Sequence, residues 1–179
     1  MSKNGGKACL YTRLQGMLYL LAFLTFSIGD AITSLWMIEQ RGIMNEANPI
    51  VRYLILNYGS MAFMNIKIWF GLIVLFIPFL IQTKSNEPVY WMVNGYLVSF
   101  IIAGTLASIL NIQAAMNRDI FLSPGEVIII FLISVLVLTE MGERIDRLTR
   151  PKAGSYLDCA RKDIITALVF LIKLFSRQN

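Results

Sequence analysis

The chain has 179 residues and a net charge of +5; 56% of the residues are hydrophobic, 15% are charged and none is histidine. This composition is typical of an integral membrane protein, with room for one membrane domain and little else. Without histidine the chain lacks the usual zinc nitrogen ligand and the usual general base, and its two cysteines are too few for a metal cluster, so we expect no cofactor.

Four apolar runs predict transmembrane helices at about residues 17–38, 60–82, 91–113 and 124–141. Basic residues precede the first run, as in a signal peptide, but no small-residue cleavage site follows it. We therefore expect an uncleaved helix there. Ser123, Pro124 and Glu126 have the spacing of a capping box with proline at the first helical position. This pattern predicts that the fourth helix begins at Pro124.

Two further helices are expected outside the spans. Asn48 before Pro49 predicts a capped helix at about 49–57, lying in the outer interface and ended by Gly59. The segment at about 156–177 has a narrow polar stripe with basic ends, which is typical of a helix lying in the cytoplasmic interface or docked on a partner. A short fifth span is the alternative for that segment. The predicted fold class is all-α: a polytopic membrane protein of four transmembrane helices with an amphipathic cytoplasmic C-terminal helix.

The distribution of basic residues predicts the orientation. Three of them precede the first span, eight follow residue 140, and Lys84 lies between the second and third spans, whereas the other two connections together hold three. The positive-inside rule then puts the N-terminal segment 1–16 and the basic tail 142–179 in the cytoplasm. Because the basic residues flank apolar segments and form no single stripe, we expect no nucleic-acid partner. We expect an integral protein of a prokaryotic cell membrane.

Three polar side chains interrupt the apolar runs: Asp30, Lys67 and Asn111. A charge at membrane depth costs at least about 2.5–3.5 kcal/mol, so such residues usually face a partner, a cavity or a function. Asp30 and Lys67 are both expected roughly 10–12 Å below the outer boundary, where antiparallel helices could bring them together. Thr33 lies one helical turn outward of Asp30 and could join them.

The third span and the first connection add further candidates. Gly104, Ser108 and Asn111 recur at spacings of four and three residues, which predicts a face where helices approach closely. Glu46 and Asn48 precede the short outer helix and are expected over the mouth of the Asp30–Lys67 cluster. Two interpretations of the cluster stay open. It is either a buried ion pair that fixes two helices, or a site for an ion, a proton or a small polar ligand.

These residues also form a family pattern. Asp30-x-x-Thr33, Glu46-Ala47-Asn48-Pro49, Lys67 and Asn111 together resemble a widespread uncharacterised family of small membrane proteins, a domain of unknown function, over about residues 17–115. The fourth span and the basic tail lie outside the resemblance. The resemblance supports the fold and the polar cluster, and it implies no activity.

Three functions fit the sequence. The first is an accessory or scaffold subunit of a larger membrane complex, for example an ion-translocating or respiratory assembly, with no chemistry of its own. The alternative is a small membrane enzyme, or an ion- or ligand-binding protein, that uses Asp30, Glu46 and Lys67. A transporter or channel is the third, although no inverted repeat is apparent. The expected partners are the lipid bilayer and other membrane subunits or further copies of this chain.

Overall fold

The computed structural model describes residues 3–46 and 48–149. It divides into two units, Leu18–Arg150 and a second unit that joins Met1–Met17 with Pro151–Asn179. Of the second unit only residues 3–17 are described, and they are helical. The predicted interfacial helix at 156–177 lies outside the described residues. Everything described is helix or connecting loop without a strand, which confirms the all-α prediction.

The first membrane-crossing segment is helical throughout but is not a single α-helix. Helix α1 (Lys3–Ala22) continues into a π-helical segment (Phe23–Gly29), which continues into α2 (Asp30–Arg41). The π-helical register is visible where the N–H of Asp30 donates to the carbonyl of Thr25, five residues earlier. Gly42, with φ of 83°, ends α2 in a backbone conformation that favours glycine.

Helix α3 (Pro49–Lys84) consists of two helical parts that meet at Gly59, whose φ of 81° and ψ of 169° are not helical. Asn48 caps the first part, because its side-chain oxygen accepts a hydrogen bond from the N–H of Ile50 at 3.0 Å. The short part therefore covers the residues of the chain, about 49–57, for which the sequence predicts a short helix ended by Gly59. The second part continues to Lys84 and carries Lys67.

Helices α4 (Tyr90–Ala115) and α5 (Pro124–Thr149) complete the described chain. The capping box at the start of α5 is formed. The N–H of Ser123 donates to Glu126 at 2.6 Å, and the N–H of Glu126 donates to the Ser123 hydroxyl at 3.3 Å. Helix α5 continues to Thr149, eight residues beyond the predicted end of its apolar span. Ion pairs one helical turn apart, Glu140–Arg144 and Glu143–Arg147, support this extension.

Helix α4 lies at the centre of unit Leu18–Arg150 and approaches its neighbours closely at glycines. A Cβ on Gly104 would lie 2.5 Å from the backbone of Phe26 in the π-helical segment. A Cβ on Gly95 would lie 2.3 Å from the carbonyl oxygen of Leu138 in α5. A Cβ on Gly142 in α5 would lie 2.4 Å from the carbonyl oxygen of Trp91. The small residues thus allow backbone-to-backbone packing, as in other membrane helix pairs.

The core of this unit is apolar and partly aromatic. Its buried residues come from α1, α3 and α4: Ala22, Leu75, Val93, Leu97 and Phe100. The ring of Phe100 meets Phe26 edge to face at a centroid distance of 4.7 Å and Phe131 at 4.9 Å. These rings join α4 both to the π-helical segment and to α5.

Four helical segments of the described chain are long and apolar enough to cross a membrane: Cys9–Arg41, Pro49–Lys84, Tyr90–Ala115 and Pro124–Thr149. Large apolar side chains cover much of their exposed surface, for example Ile73 on α3 at 62% exposure and Leu136 on α5 at 70%. Such surfaces are too large for a soluble monomer and suit a lipid environment. The chain is therefore a membrane protein with four membrane-spanning helical segments in its described part.

Candidate functional site

The centre of the candidate site is an ion pair between the first residue of α2 and the long part of α3. The Nζ of Lys67 donates to the Oδ2 of Asp30. The side chains are only 20% and 15% exposed, respectively. Lys67 also lies over the ring of Phe63, with 5.6 Å between the nitrogen and the ring centroid. The structure thus brings together the two charges that interrupt the predicted spans.

The second oxygen of the Asp30 carboxylate faces α4. The Nδ2 of Asn111 donates to Oδ1 of Asp30 at 3.0 Å, and it also lies 3.2 Å from the Thr33 hydroxyl and 3.0 Å from the Ser34 hydroxyl. An amide nitrogen carries two hydrogens, so these three oxygens share them. Asn111 therefore joins α4 to two successive turns of α2.

The hydroxyl groups of α2 complete the network. The Ser34 hydroxyl donates to Oδ1 of Asp30 at 3.4 Å, and the Thr33 hydroxyl donates to the Gly29 carbonyl at 2.9 Å. The carboxylate thus receives donors from Lys67, Asn111 and Ser34, and these donors offset much of the cost of taking it out of water. Sequence reasoning missed Ser34, although it lies one helical turn from Asp30 on the side of α2 that contacts Asn111.

We define the polar cluster as Asp30, Thr33, Ser34, Lys67 and Asn111. Three separate segments position it: α2 supplies the carboxylate and the hydroxyls, α3 the ammonium group and α4 the amide. Ser108, one turn from Asn111 on α4, lies beside Gly29, since a Cβ on that glycine would be 3.4 Å from its hydroxyl. The predicted α4 face of Gly104, Ser108 and Asn111 accordingly faces the π-helical segment and α2.

Glu46 and Asn48 form a hydrogen-bonded loop of their own. Glu46 is buried; its Oε1 accepts from the N–H of Asn48 at 2.8 Å, and its carbonyl accepts from the Arg52 guanidinium at 2.5 Å. Within the described residues, no hydrogen bond links Glu46 or Asn48 to the polar cluster. The structure therefore assigns these two predicted site residues to shaping the entry into α3.

Asp146 is a buried carboxylate that sequence reasoning did not single out. It is fully buried, and its two oxygens accept from the N–H groups of Trp91 and Met92, each at 2.9 Å. A side chain of α5 thus caps the first turn of α4 and ties the two helices together. No local pattern could have revealed this cap, because the partners are more than 50 residues apart in the sequence.

The chemistry open to the polar cluster is limited. Within residues 3–46 and 48–149, no group of three or more His, Cys, Asp or Glu side chains is placed to hold a metal ion. The lone carboxylate is paired with the lone ammonium group, and hydroxyl and amide donors occupy its remaining oxygen. The arrangement therefore suits joining three helices better than activating a substrate.

Comparison with known proteins gives a match to a family model. No curated protein and no solved structure matches the chain. A family model matches residues 21–117, which extend from the end of α1 through α4 and include every member of the polar cluster. The resemblance seen in the sequence over about 17–115 is thereby confirmed, while Asp146 and α5 lie outside the match. The chain belongs to the family described as Domain of unknown function (DUF5658).

Proposed function

We propose that this protein is a small accessory or scaffold subunit of a larger membrane complex, without chemistry of its own. The observation that carries the proposal is the polar cluster. Asp30 and Lys67, the residues best suited to act on a substrate, are bound to each other and held by Asn111 and Ser34. Charges used in this way fix the arrangement of helices, and neither Asp30 nor Lys67 is left free to act as an acid or a base.

The exposed surface supports the same proposal. The spans present apolar faces, such as that of Ile128, Leu132 and Leu136 on α5 at 60%, 54% and 70% exposure. Faces of this kind contact lipid and can equally contact apolar helices of other membrane proteins. We infer that the fixed helix bundle presents these faces to its partners. Both termini are proposed to be cytoplasmic, since the basic residues gather at the chain ends. The membrane is proposed to be that of a prokaryotic cell.

The enzymatic alternative needs Glu46 beside Asp30, as a second carboxylate for acid–base work or for a divalent ion. The hydrogen bonds of Glu46 go to Asn48 and Arg52. The two carboxylates therefore share no hydrogen-bond partner among the described residues, which supports the scaffold proposal more strongly.

The proposal is tested by extracting the tagged full-length protein from its native membrane in a mild detergent. Native mass and mass spectrometry of co-purifying proteins are then measured. We expect a larger complex with a partner at fixed stoichiometry. Lys67→Met should reduce the recovered complex, whereas Lys84→Met, at the end of α3, should leave it unchanged. Wild-type protein that carries no partner at fixed stoichiometry would contradict the proposal.

A further inference from the structure

Asn65 is the polar residue of α3 that the polar cluster does not use. It lies six residues after Gly59, in the second part of α3, and its side chain is exposed. Among the described residues its amide makes no hydrogen bond. The exposed residues one turn away on either side are apolar: Met61 at 72% and Trp69 at 66% exposure. An amide with both a donor and an acceptor thus stands on an otherwise apolar membrane-facing surface.

This surface is separate from the face that holds the bundle together. Residues two positions apart in an α-helix lie about 200° apart around its axis, so Asn65 points away from Lys67 and the polar cluster. The exposed stripe continues inward from Trp69 through Leu72 and Phe76, at 43% and 52% exposure. Spacings of four and three residues along this stripe are those of a helix that packs lengthwise against another.

We propose that this stripe of α3 is the interface between two copies of this chain, with Asn65 of each copy hydrogen-bonded to Asn65 of the other. Lipid tails offer the amide no hydrogen-bond partner, whereas a second asparagine offers both a donor and an acceptor. Close to the axis of a two-fold interface, each residue faces the same residue of the other copy. The two Asn65 amides can therefore hydrogen-bond to each other without any further residue. This inference is independent of the scaffold proposal.

The test uses the full chain in liposomes of mixed phospholipids. Donor- and acceptor-labelled copies are mixed at several protein-to-lipid ratios, and energy transfer gives the dimerisation constant. Asn65→Leu should weaken dimerisation by about 3- to 30-fold, the range expected for one interhelical hydrogen-bonded pair. Asn65→Gln retains both the donor and the acceptor, so it should weaken dimerisation less than Asn65→Leu does. Asn57→Leu is the matched control, since the amide of Asn57 already donates to the Tyr53 carbonyl within its own helix.

A positional test accompanies the affinity measurement. A photoactivatable residue in place of Met61 should crosslink two copies, and the same residue in place of Ile129, exposed on α5, should not. Monomeric wild-type protein at all ratios would overturn the proposal and indicate that lipid alone covers the stripe. An unchanged dimerisation constant in Asn65→Leu would also overturn it, as would crosslinking from Ile129 in preference to Met61. A dimer without any other subunit would support this inference while contradicting the scaffold proposal, so the two can fail separately.

Discussion

At the scale of single residues, the Asp30 carboxylate determines how three helices meet. It receives Lys67 on one oxygen and Asn111 and Ser34 on the other. The sequence indicated Asp30, Lys67 and Asn111 because each interrupts an apolar run, where a polar group needs a partner. Ser34 gave no such signal, because a serine hydroxyl can donate a hydrogen bond to a carbonyl of its own helix. A serine in a membrane span therefore does not by itself indicate a partner.

The first prediction concerns the pair itself. Lys67→Met leaves the buried Asp30 carboxylate without its counter-charge. Loss of one partner from a buried pair typically costs about 3–5 kcal/mol, and the partial exposure of this pair places the expected loss at or below that range. The measurement is unfolding of the purified protein in mixed micelles. Asp30→Leu combined with Lys67→Met should recover much of the lost stability, because no unpaired charge remains. A double variant less stable than either single variant would contradict the structural role.

At the scale of elements, the π-helical segment sets the direction of Asp30. A π-helix turns less per residue than an α-helix, so a short π-helical segment acts as an inserted residue and rotates all that follows. Nothing in the stretch Phe-Leu-Thr-Phe-Ser-Ile-Gly distinguishes it from an ordinary apolar helix. The sequence therefore predicted the span and its polar residue but not the change of helical register that places Asp30 against α3 and α4.

The second prediction follows from this register. Deleting Leu24, which is 42% exposed, should let the segment become α-helical while α1 and α2 keep their faces. The matched control is deletion of Ile109, 40% exposed on α4, which rotates Asn111 by about 100° relative to the rest of that helix. Folded yield and thermal stability in detergent should fall far more for the Ile109 deletion. Equal losses in both deletions would show that the π-helical segment has no such role.

The third prediction concerns the glycine contacts between α4 and α5. A methyl group on Gly142 would lie 2.4 Å from the Trp91 carbonyl oxygen, so Gly142→Ala must separate the helices near the cap formed by Asp146. Overpacking of this kind costs about 1–3 kcal/mol. Gly125→Ala is the control, since its methyl group would meet only the Ser123 hydroxyl at 3.9 Å. Thermal unfolding in detergent should show a loss for Gly142→Ala alone. Equal stability of the two variants would contradict the close approach.

At the scale of the whole molecule, the number of spans was predictable because apolar length is set by bilayer thickness. The capping box of α5 and the Asn48 cap were also readable, since both are local patterns. The Asp146 cap was not, because its partners Trp91 and Met92 meet it only after α4 and α5 pack. The family match covers all the residues of the polar cluster and ends before α5.

The fourth prediction is the orientation. The excess of Lys and Arg at the chain ends predicts that reporters fused before Met1 and after Asn179 are both active on the cytoplasmic side. A reporter inserted in the α4–α5 connection, between Met116 and Ser123, should be active only on the outer side. Fusion activity in intact cells measures this directly. A cytoplasmic signal from the α4–α5 connection would reverse the orientation and with it the proposed depth of the polar cluster.

We propose that the Asp30–Lys67 pair holds a scaffold together and performs no chemistry. The most direct measurement is recovery of the native complex from cells that carry wild type, Lys67→Met, or Asp30→Leu with Lys67→Met. We expect that the single variant loses the partner and that the double variant, which has neither charge, regains it at the wild-type stoichiometry. A double variant that is folded and stable but has lost the partner or the cellular function would contradict the claim and make the pair a functional site.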